Sequence, residues 1–500
     1  MVQVNTAAMT ASSLQDGQAE LPTPRSTRSY WHREPSKKLL GHRSTADLPH
    51  TADVVVIGSG ITGAFAAREL VAGGRGVLML EAREACWGAT GRNGGHCQPQ
   101  VWSSTAEVAR FELATFDLID ELVAKYDIPC DWHVVGGVNA IFSQDLLNAA
   151  RTQIKRLQRH DDLRDKAVLI LDKEELVAQR IPEALGAVYQ PKAAKCWPYK
   201  LVAWLLERLL EENAPKTFNL QTKTPVEHLQ RCGSSWIVHT SRGQVCTKDV
   251  LLASNAYTSY LLPKMTGLIV PVRGQVCALE PPAGAKQLAH SYVWLEASDE
   301  YLIHRGPEDT QVKGNERNGT RSSPPPRRPI DRSLVLGGQR LAAPGWEEGI
   351  SRDDTISPII SRALHRSLAH TVKLLPGDAD DPEELRAAYE WTGIMGYSRD
   401  QHPWVGRVPP SLVSRSSSGN DGDSDAESEG QGLWISAGYT GHGMPVAARC
   451  GIAVAEMILG KEGGVQLPRA WTPSADRAER ASEMDMPRTK EDMLRALPVE

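Results

Sequence analysis

Gly58, Gly60 and Gly63 form a G-x-G-x-x-G array directly after an apolar run, and Glu81 closes the next apolar run. Each residue type has a physical task. The first glycine permits a tight turn, the second lets backbone approach a pyrophosphate, and the third lets a helix pack closely on a strand. Ile61 and Thr62 open the helix, whose unpaired N–H groups and partial positive charge favour phosphate. Glu81, followed by Ala82 and Arg83, is placed to accept hydrogen bonds from ribose hydroxyls, and its carboxylate disfavours a 2′-phosphate. The array reads as a dinucleotide site, and this motif alone leaves NAD and FAD open.

The stretch "REACWGATGRNGGHC", Arg83 to Cys97, adds a second feature. Gly88, Ala89, Thr90, Gly91, Arg92, Asn93, Gly94 and Gly95 make a backbone able to fold tightly beneath a planar ring and present N–H groups to it. Arg92 and Asn93 either touch the ring or phosphates or hold the loop. A third glycine-rich segment, "GYTGHGM", precedes a helix and places Gly441, His442, Gly443 and Met444 where N–H groups and a helix dipole stabilise negative charge. His442 is either a catalytic candidate or a satisfied loop histidine; Met444 reads as packing more than as cofactor contact. Candidate pocket residues are His96, Tyr257, Trp391, Tyr397 and Tyr439, with Tyr397 and His96 preferred as catalytic candidates and Tyr257 placed at the substrate. Aromatic side chains cage a substituted amine through cation–π contact and apolar burial.

These residues need elements to carry them. "DVVVIG" and "GVLMLEA" are strand-like runs flanking the helical stretch Ile61–Ala72, and Val108, Phe111, Thr115, Leu118 and Leu122 repeat at helical spacing. "DWHVVGGVNAIF" reads as sheet, "LVAWLLERLLEE" as helix, and "SSWIVHTS", "DVLLAS", "LIVPVRGQVCALE" and "SLVLGGQ" as strands. The order predicts an α/β fold, a nucleotide-binding layer with a β-rich second domain. A disordered leader is expected at 1–50 and a tail at 461–500. Two polar insertions, 312–329 and 415–431, read as surface loops.

Composition narrows the partners. The 500 residues carry a formal charge of -5, with 41% hydrophobic and 23% charged residues. Nothing marks a nucleic-acid or anionic-membrane surface, so the expected partners are small molecules. The eight cysteines show no C-x-x-C pair, and they read as reduced thiols in a cytoplasmic protein with no metal. No run approaches the roughly 20 apolar residues of a membrane helix.

With these motifs in this order the sequence resembles the FAD-dependent D-amino-acid oxidase superfamily, in its branch of glycine, sarcosine and gamma-glutamylputrescine oxidases. The likeness extends through "VLLASNAYTSYLLP", "IVPVRGQV", "EWTGIMGYSRDQHPWVG" and "GLWISAGYTGHGMPVAARCGIAVAEMILG", covering about residues 50 to 460. It implies a Rossmann-type FAD-binding domain, discontinuous in sequence at 51–130, 195–268 and 396–460, with a β-rich α+β substrate domain at 131–194 and 269–395. FAD is then the implied cofactor, with Val226, Ser254 and Asn255 among its contacts. It also implies oxidation of an amine to an imine by hydride transfer to flavin N5, with O2 as acceptor and H2O2 as product. Alternatives are a dehydrogenase with another acceptor and a flavin-binding protein without turnover. In glycine-oxidase-like members an arginine five residues before the Asp of D-x-x-P pairs with the substrate carboxylate; here that position is Met395, before Asp400. A thioether does not replace a guanidinium fork. Unless Arg399, Arg273 or Arg305 reaches in, an amine or N-substituted amino acid is the expected substrate. Monomeric sarcosine oxidases attach FAD through a cysteine whose counterpart here is Gly393, so non-covalent FAD is expected, with Cys97 the remote alternative.

Overall fold

Val54, Val55, Val56 and Ile57 suit a strand covered on both faces, and in the strand Thr51–Ile57 all four are buried. The computed structural model describes residues 14–295, 299–306, 331–413, 431–461, 463–495 and 497–498. Thr51–Ile57 pairs in parallel with Val77–Leu80 on one side and Gly243–Leu252 on the other. Phe218–Gln221 and Leu433–Ala437 extend the parallel array outward. The crossover between the first two strands is the helix Ile61–Ala72, and its buried face packs beside the helix Ala447–Leu459. Gly451 sits at that crossing, where an added Cβ would stand 2.4 Å from the Thr62 carbonyl oxygen.

A second eight-stranded sheet runs in the order Ala387–Ser398, Ile269–Leu279, Leu334–Gly337, Asp299–His304, Ser291–Leu295, Gly137–Ile141, Gly186–Gln190 and Val168–Ile170. Its pairs are antiparallel except Ser291–Leu295 with Gly137–Ile141. The longest pairing, Ile269–Leu279 against Ala387–Ser398, sets Val272 opposite Met395 and Val270 opposite Tyr397. Register thereby delivers Met395 and Tyr397 to one face, two residues apart along the strand. The insertion at 312–329, and all of that at 415–431 but Gln431, fall outside the described residues.

The leader expected to be disordered is instead packed from Ala19 onward. Tyr30 and Trp31 are 2% and 0% exposed, and Trp31 stacks edge-on against Tyr30 at 4.9 Å. Ser29 Oγ donates to the Gly91 carbonyl at 2.8 Å and Trp31 Nε1 to the Asn93 carbonyl at 2.5 Å. The segment is polar on average, but its two aromatic anchors bury fully and its donors satisfy carbonyls of the glycine-rich loop that would otherwise be unpaired. Among the described residues of the tail, helices Ala475–Glu483 and Lys490–Arg495 form, and Arg477 of the first pairs with Asp400 at 2.7 Å.

Candidate active site

A cavity of about 360 Å³ is lined by residues of both large sheets, the two glycine-rich loops and the leader. At one end stand Gly58, Gly60, Ile61, Thr62, Glu81, Ala82 and Arg83. Gly58 has φ +108° and a Cβ there would lie 2.6 Å from the Ala253 carbonyl oxygen, so this turn accepts only glycine. Gly60 is the N-cap of the helix and brings no side chain to it, while Ile61 N–H donates to Thr90 Oγ1 at 3.1 Å. Gly63 does not line the cavity; it lies where the helix meets the turn. The Glu81 carboxylate faces the cavity and accepts from Ser59 N–H at 3.1 Å, Ser59 Oγ at 2.6 Å and Arg83 N–H at 2.9 Å. Those three bonds fix its rotamer at the mouth of the phosphate turn.

The loop after Glu81 contributes Gly88, Ala89, Thr90, Arg92, Asn93, Gly94 and His96 to the wall, whereas Gly95 packs on Trp31. Of the two roles open for Arg92 and Asn93, the hydrogen bonds show loop holding. Arg92 is 2% exposed, gives Nε to the Thr392 carbonyl and Nη2 to the Thr27 carbonyl, and its Nε stands 3.2 Å from Asp353. Asn93 Nδ2 donates to the Thr90 carbonyl at 3.0 Å and its Oδ1 accepts from Gly95 N–H at 2.8 Å. Arg83 Nη1 meets the same buried Asp353 at 2.9 Å. Val226, Ser254 and Asn255 line the cavity; Asn255 Oδ1 accepts from Gly438 N–H at 3.0 Å, tying the first sheet to the last loop.

Tyr257, expected beside the substrate, stands instead among Glu81, Arg83, Arg92 and Asp353. Burial pushes its phenol well above the ordinary range, and its hydroxyl has no hydrogen-bond partner among the described residues. A buried hydroxyl without a partner, on the wall of a cavity that begins at a glycine-rich helix N-terminus, fits an extended polar ligand such as FAD. The lining fits as well, since the Glu81 carboxylate and both glycine-rich loops share one cavity.

That second loop carries Gly441, His442, Gly443 and Met444, all on the cavity wall. His442 N–H turns inward to the Tyr439 carbonyl at 2.8 Å and is therefore spent within the loop. The His442 ring meets Glu112 Oε2 at 3.0 Å, with Glu112 buried in the helix Ala106–Tyr126. Met444 is 6% exposed and joins the core, as packing requires. Tyr439 is held by Thr62 at 2.9 Å and Ser436 at 2.8 Å, and Trp391 lies off the cavity with its Nε1 on the Arg92 carbonyl. Cys97 is fully buried, does not reach the wall, and burial raises its thiol well above the usual range.

Met395, Tyr397 and Gly441 come together: a Cβ on Gly441 would lie 3.3 Å from Tyr397 Oη and 3.4 Å from Met395 Sδ. None of the arginines considered as replacements for the missing guanidinium lines the cavity. Arg273 pairs with Glu347, Arg305 with Asp131 at 2.6 Å, and Arg399 gives Nε to the Gly267 carbonyl at 2.8 Å. The sequence reading missed Leu21, Pro22, Gln98, Tyr301 and Arg340, all of which line the cavity. Tyr301 carried no local signal: only in the fold do Gly94 and Gly337, the latter paired with it across the sheet, leave room for its ring.

His96 lines the cavity with Nε2 2.9 Å from Gln98 Oε1. Burial, opposed by that bond and reinforced by nearby His442, lowers its pKa to about 4. Burial likewise lowers His304 to about 4 and His32 to about 3. All three rings are neutral at pH 7. Their folded pKa values lie below the ordinary value of about 6.5, so the unfolded chain binds protons first on acidification. Stability is therefore fully present above pH 6.5 and is lost as pH falls from 6.5 towards 4 for His96 and His304 and towards 3 for His32. Melting temperature against pH is expected to fall steeply across that window, and His32→Gln is expected to flatten the fall; an unchanged slope would remove the attribution.

Comparison with known proteins places this geometry. The family model described as FAD dependent oxidoreductase matches residues 53–457. The chain is 23% identical over 427 residues to gamma-glutamylputrescine oxidoreductase of Escherichia coli (strain K12), covering 82% of this chain and 84% of that relative. It is 26% identical over 420 residues to glycine oxidase of Pseudomonas aeruginosa, covering 82% of this chain and 95% of that relative. In fold it is similar to the crystal structure of glycine oxidase from Geobacillus kaustophilus, with a TM-score of 0.64 at 18% identity over 85% of this chain and 99% of that one. With the family model spanning both sheets and both glycine-rich loops, the chain belongs to the FAD dependent oxidoreductase family.

Proposed function

We propose that this flavoenzyme oxidises the C–N bond of an amine or N-substituted amino acid to an imine, with O2 as acceptor and H2O2 as product. FAD, when bound, supplies the hydride acceptor at N5 and hands the electrons on to the acceptor. The observation that carries the reading is the single cavity running from Glu81 and the helix N-terminus to the Met395, Tyr397 and Gly441 cluster. Glu81, Ser254 and Val226 would hold the adenosine end, and Gly60, Ile61, Thr62 and Thr90 the pyrophosphate. Gly441 to Met444 would face the far end, where backbone N–H groups stabilise negative charge.

The chain's remaining task is positioning. Tyr397 and Tyr301 supply aromatic walls, and His96 offers a neutral ring to the cavity. No side chain needs to act as general base if the amine enters neutral. Non-covalent FAD follows from Gly393 at the attachment position and from Cys97 lying off the wall. Eight free cysteines support a reducing, cytoplasmic setting.

The test is aerobic turnover with γ-glutamylputrescine, sarcosine, D-proline, glycine and simple amines, recording O2 uptake and peroxide together. Equimolar O2 loss and H2O2 gain with a CH–NH compound is the expected result. Dye reduction without O2 uptake would assign a dehydrogenase instead.

A further inference from the structure

We infer that the edge strand Val168–Ile170 pairs with the same strand of a second copy of this chain, antiparallel and centred on Leu169, so that two copies of the second sheet become continuous across a two-fold axis. The strand ends the strand order of that sheet. On its inner side it pairs with Gly186–Gln190, Leu169 standing opposite Val188. Among the described residues no strand and no side chain bonds its outer side. An edge of that kind presents unpaired N–H and C=O groups, and proteins ordinarily blunt it with proline, a bulge or a charge within the strand. The run Ala167–Leu171 has no proline and no charge, and its pairing with Gly186–Gln190 has no bulge. Ala167 and Ile170 are buried and root the run, while Val168 and Leu171 are 51% and 43% exposed. Leu171 continues the apolar edge beside Gly186, where an added Cβ would lie 3.1 Å from Leu171 Cδ2.

Charge identifies the occupant. The run is bracketed as "DKAVLILDK", Asp165 to Lys173, which is complementary to itself when reversed. Antiparallel pairing about Leu169 sets Val168 opposite Ile170, Ala167 opposite Leu171, Lys166 opposite Asp172 and Asp165 opposite Lys173 of the second copy. The two-fold axis repeats each pair, and opposite charges facing across strands stabilise the pairing. A slip of one residue sets Lys166 against Lys173 in one direction and Asp165 against Asp172 in the other, so the charges also fix the register. Parallel pairing in register sets every charge against its own kind. The contacts these side chains make within the chain leave the pairing open. Lys166 meets only its sequence neighbour Asp165, at 2.9 Å on the surface, a contact of little worth. Asp172 caps the helix Lys173–Ala178 through Oδ1, which accepts from Glu175 N–H at 2.9 Å, and its other oxygen is the acceptor for Lys166 of the second copy.

The test is sedimentation velocity of the full-length, FAD-loaded protein over a concentration series. An interface built on one short strand is small, so a dimer with Kd of about 10 µM is expected. Lys166→Glu and Asp172→Lys are each expected to weaken it by at least about 10-fold, because like charges then face each other twice. An equal mixture of the two variants is expected to recover a heterodimer, since both contacts of the mixed pair again join opposite charges. Val168→Asp, a change at an exposed position, is expected to abolish the dimer without loss of flavin. Amide exchange at Val168–Ile170 is expected to slow as wild-type concentration rises through the dimerisation range. A monomer throughout the series, a dimer indifferent to these variants, or a mixture that stays monomeric would overturn the inference. Protection of the strand at every concentration would overturn it too, by showing that the chain covers its own edge. If Asp172→Lys fails to fold for want of its helix cap, Lys166→Glu and Val168→Asp decide, and a wild-type dimer that survives both overturns it. None of these outcomes depends on what the cavity oxidises.

Discussion

Gly63→Ala is expected to yield a chain that no longer retains FAD through purification. A Cβ at this position would lie 2.0 Å from the Gly58 carbonyl oxygen, which is backbone and has no rotamer to escape through. The helix Ile61–Ala72 would have to withdraw from the turn, while its other face is held by Gly451 against Thr62. Withdrawal separates the helix N-terminus from Gly58, and the phosphate hydrogen bonds that need both are lost. Charge-assisted bonds contribute about 1.5–3 kcal/mol each, so two lost bonds weaken FAD binding by roughly 100-fold or more. The flavin-to-protein ratio and a fluorescence titration with added FAD check this. Stoichiometric FAD at wild-type affinity would show that the turn is not the phosphate site.

Asp353→Ala is expected to cost the fold about 3–5 kcal/mol, the usual penalty for removing one partner of a buried ionic cluster. Asp353 is 0% exposed and neutralises two buried guanidiniums, Arg83 at 2.9 Å and Arg92 at 3.2 Å. Its backbone carbonyl also accepts Thr27 N–H at 2.7 Å, so one residue joins the leader, the glycine-rich loop and the segment after the second sheet's central strands. Without the carboxylate two like charges face each other in a dry site. Urea unfolding of the FAD-loaded protein is the measurement, with Asp353→Asn as the variant that keeps shape but loses charge. A change under about 1 kcal/mol in both would mean the cluster is solvated in solution.

The parts of this site legible in sequence are the ones built from neighbours along the chain. Gly58, Gly60, Gly63 and Glu81 lie within one strand–helix–strand unit, so their spacing alone encodes the turn, and the loop from Gly88 to Gly94 follows at once. Arg340 was not legible because nothing around it in "SLVLGGQRLAAPG" has a chemical pattern. Its guanidinium carbon comes 5.1 Å from the centre of the Tyr397 ring only in the fold. Asp353 is similar, an ordinary acidic residue until the fold sets it between Arg83 and Arg92. The leader misled for another reason. Composition averages over a window, while Tyr30 and Trp31 act as individual anchors in a polar stretch. Tyr257 was placed at the substrate on residue type alone, and only tertiary contacts reveal its cluster of charged neighbours near Glu81.

On the proposed reading this cavity holds FAD and draws a hydride equivalent from a carbon next to nitrogen. Its most direct test is an anaerobic titration of the purified protein, following flavin absorbance while γ-glutamylputrescine, sarcosine, D-proline, glycine and simple amines are added in turn. Bleaching of the visible bands to completion by at least one CH–NH compound, reversed on admitting O2, is the predicted result. Bands that persist through the whole series yet bleach with dithionite would contradict it, leaving a flavin-binding protein without amine oxidation.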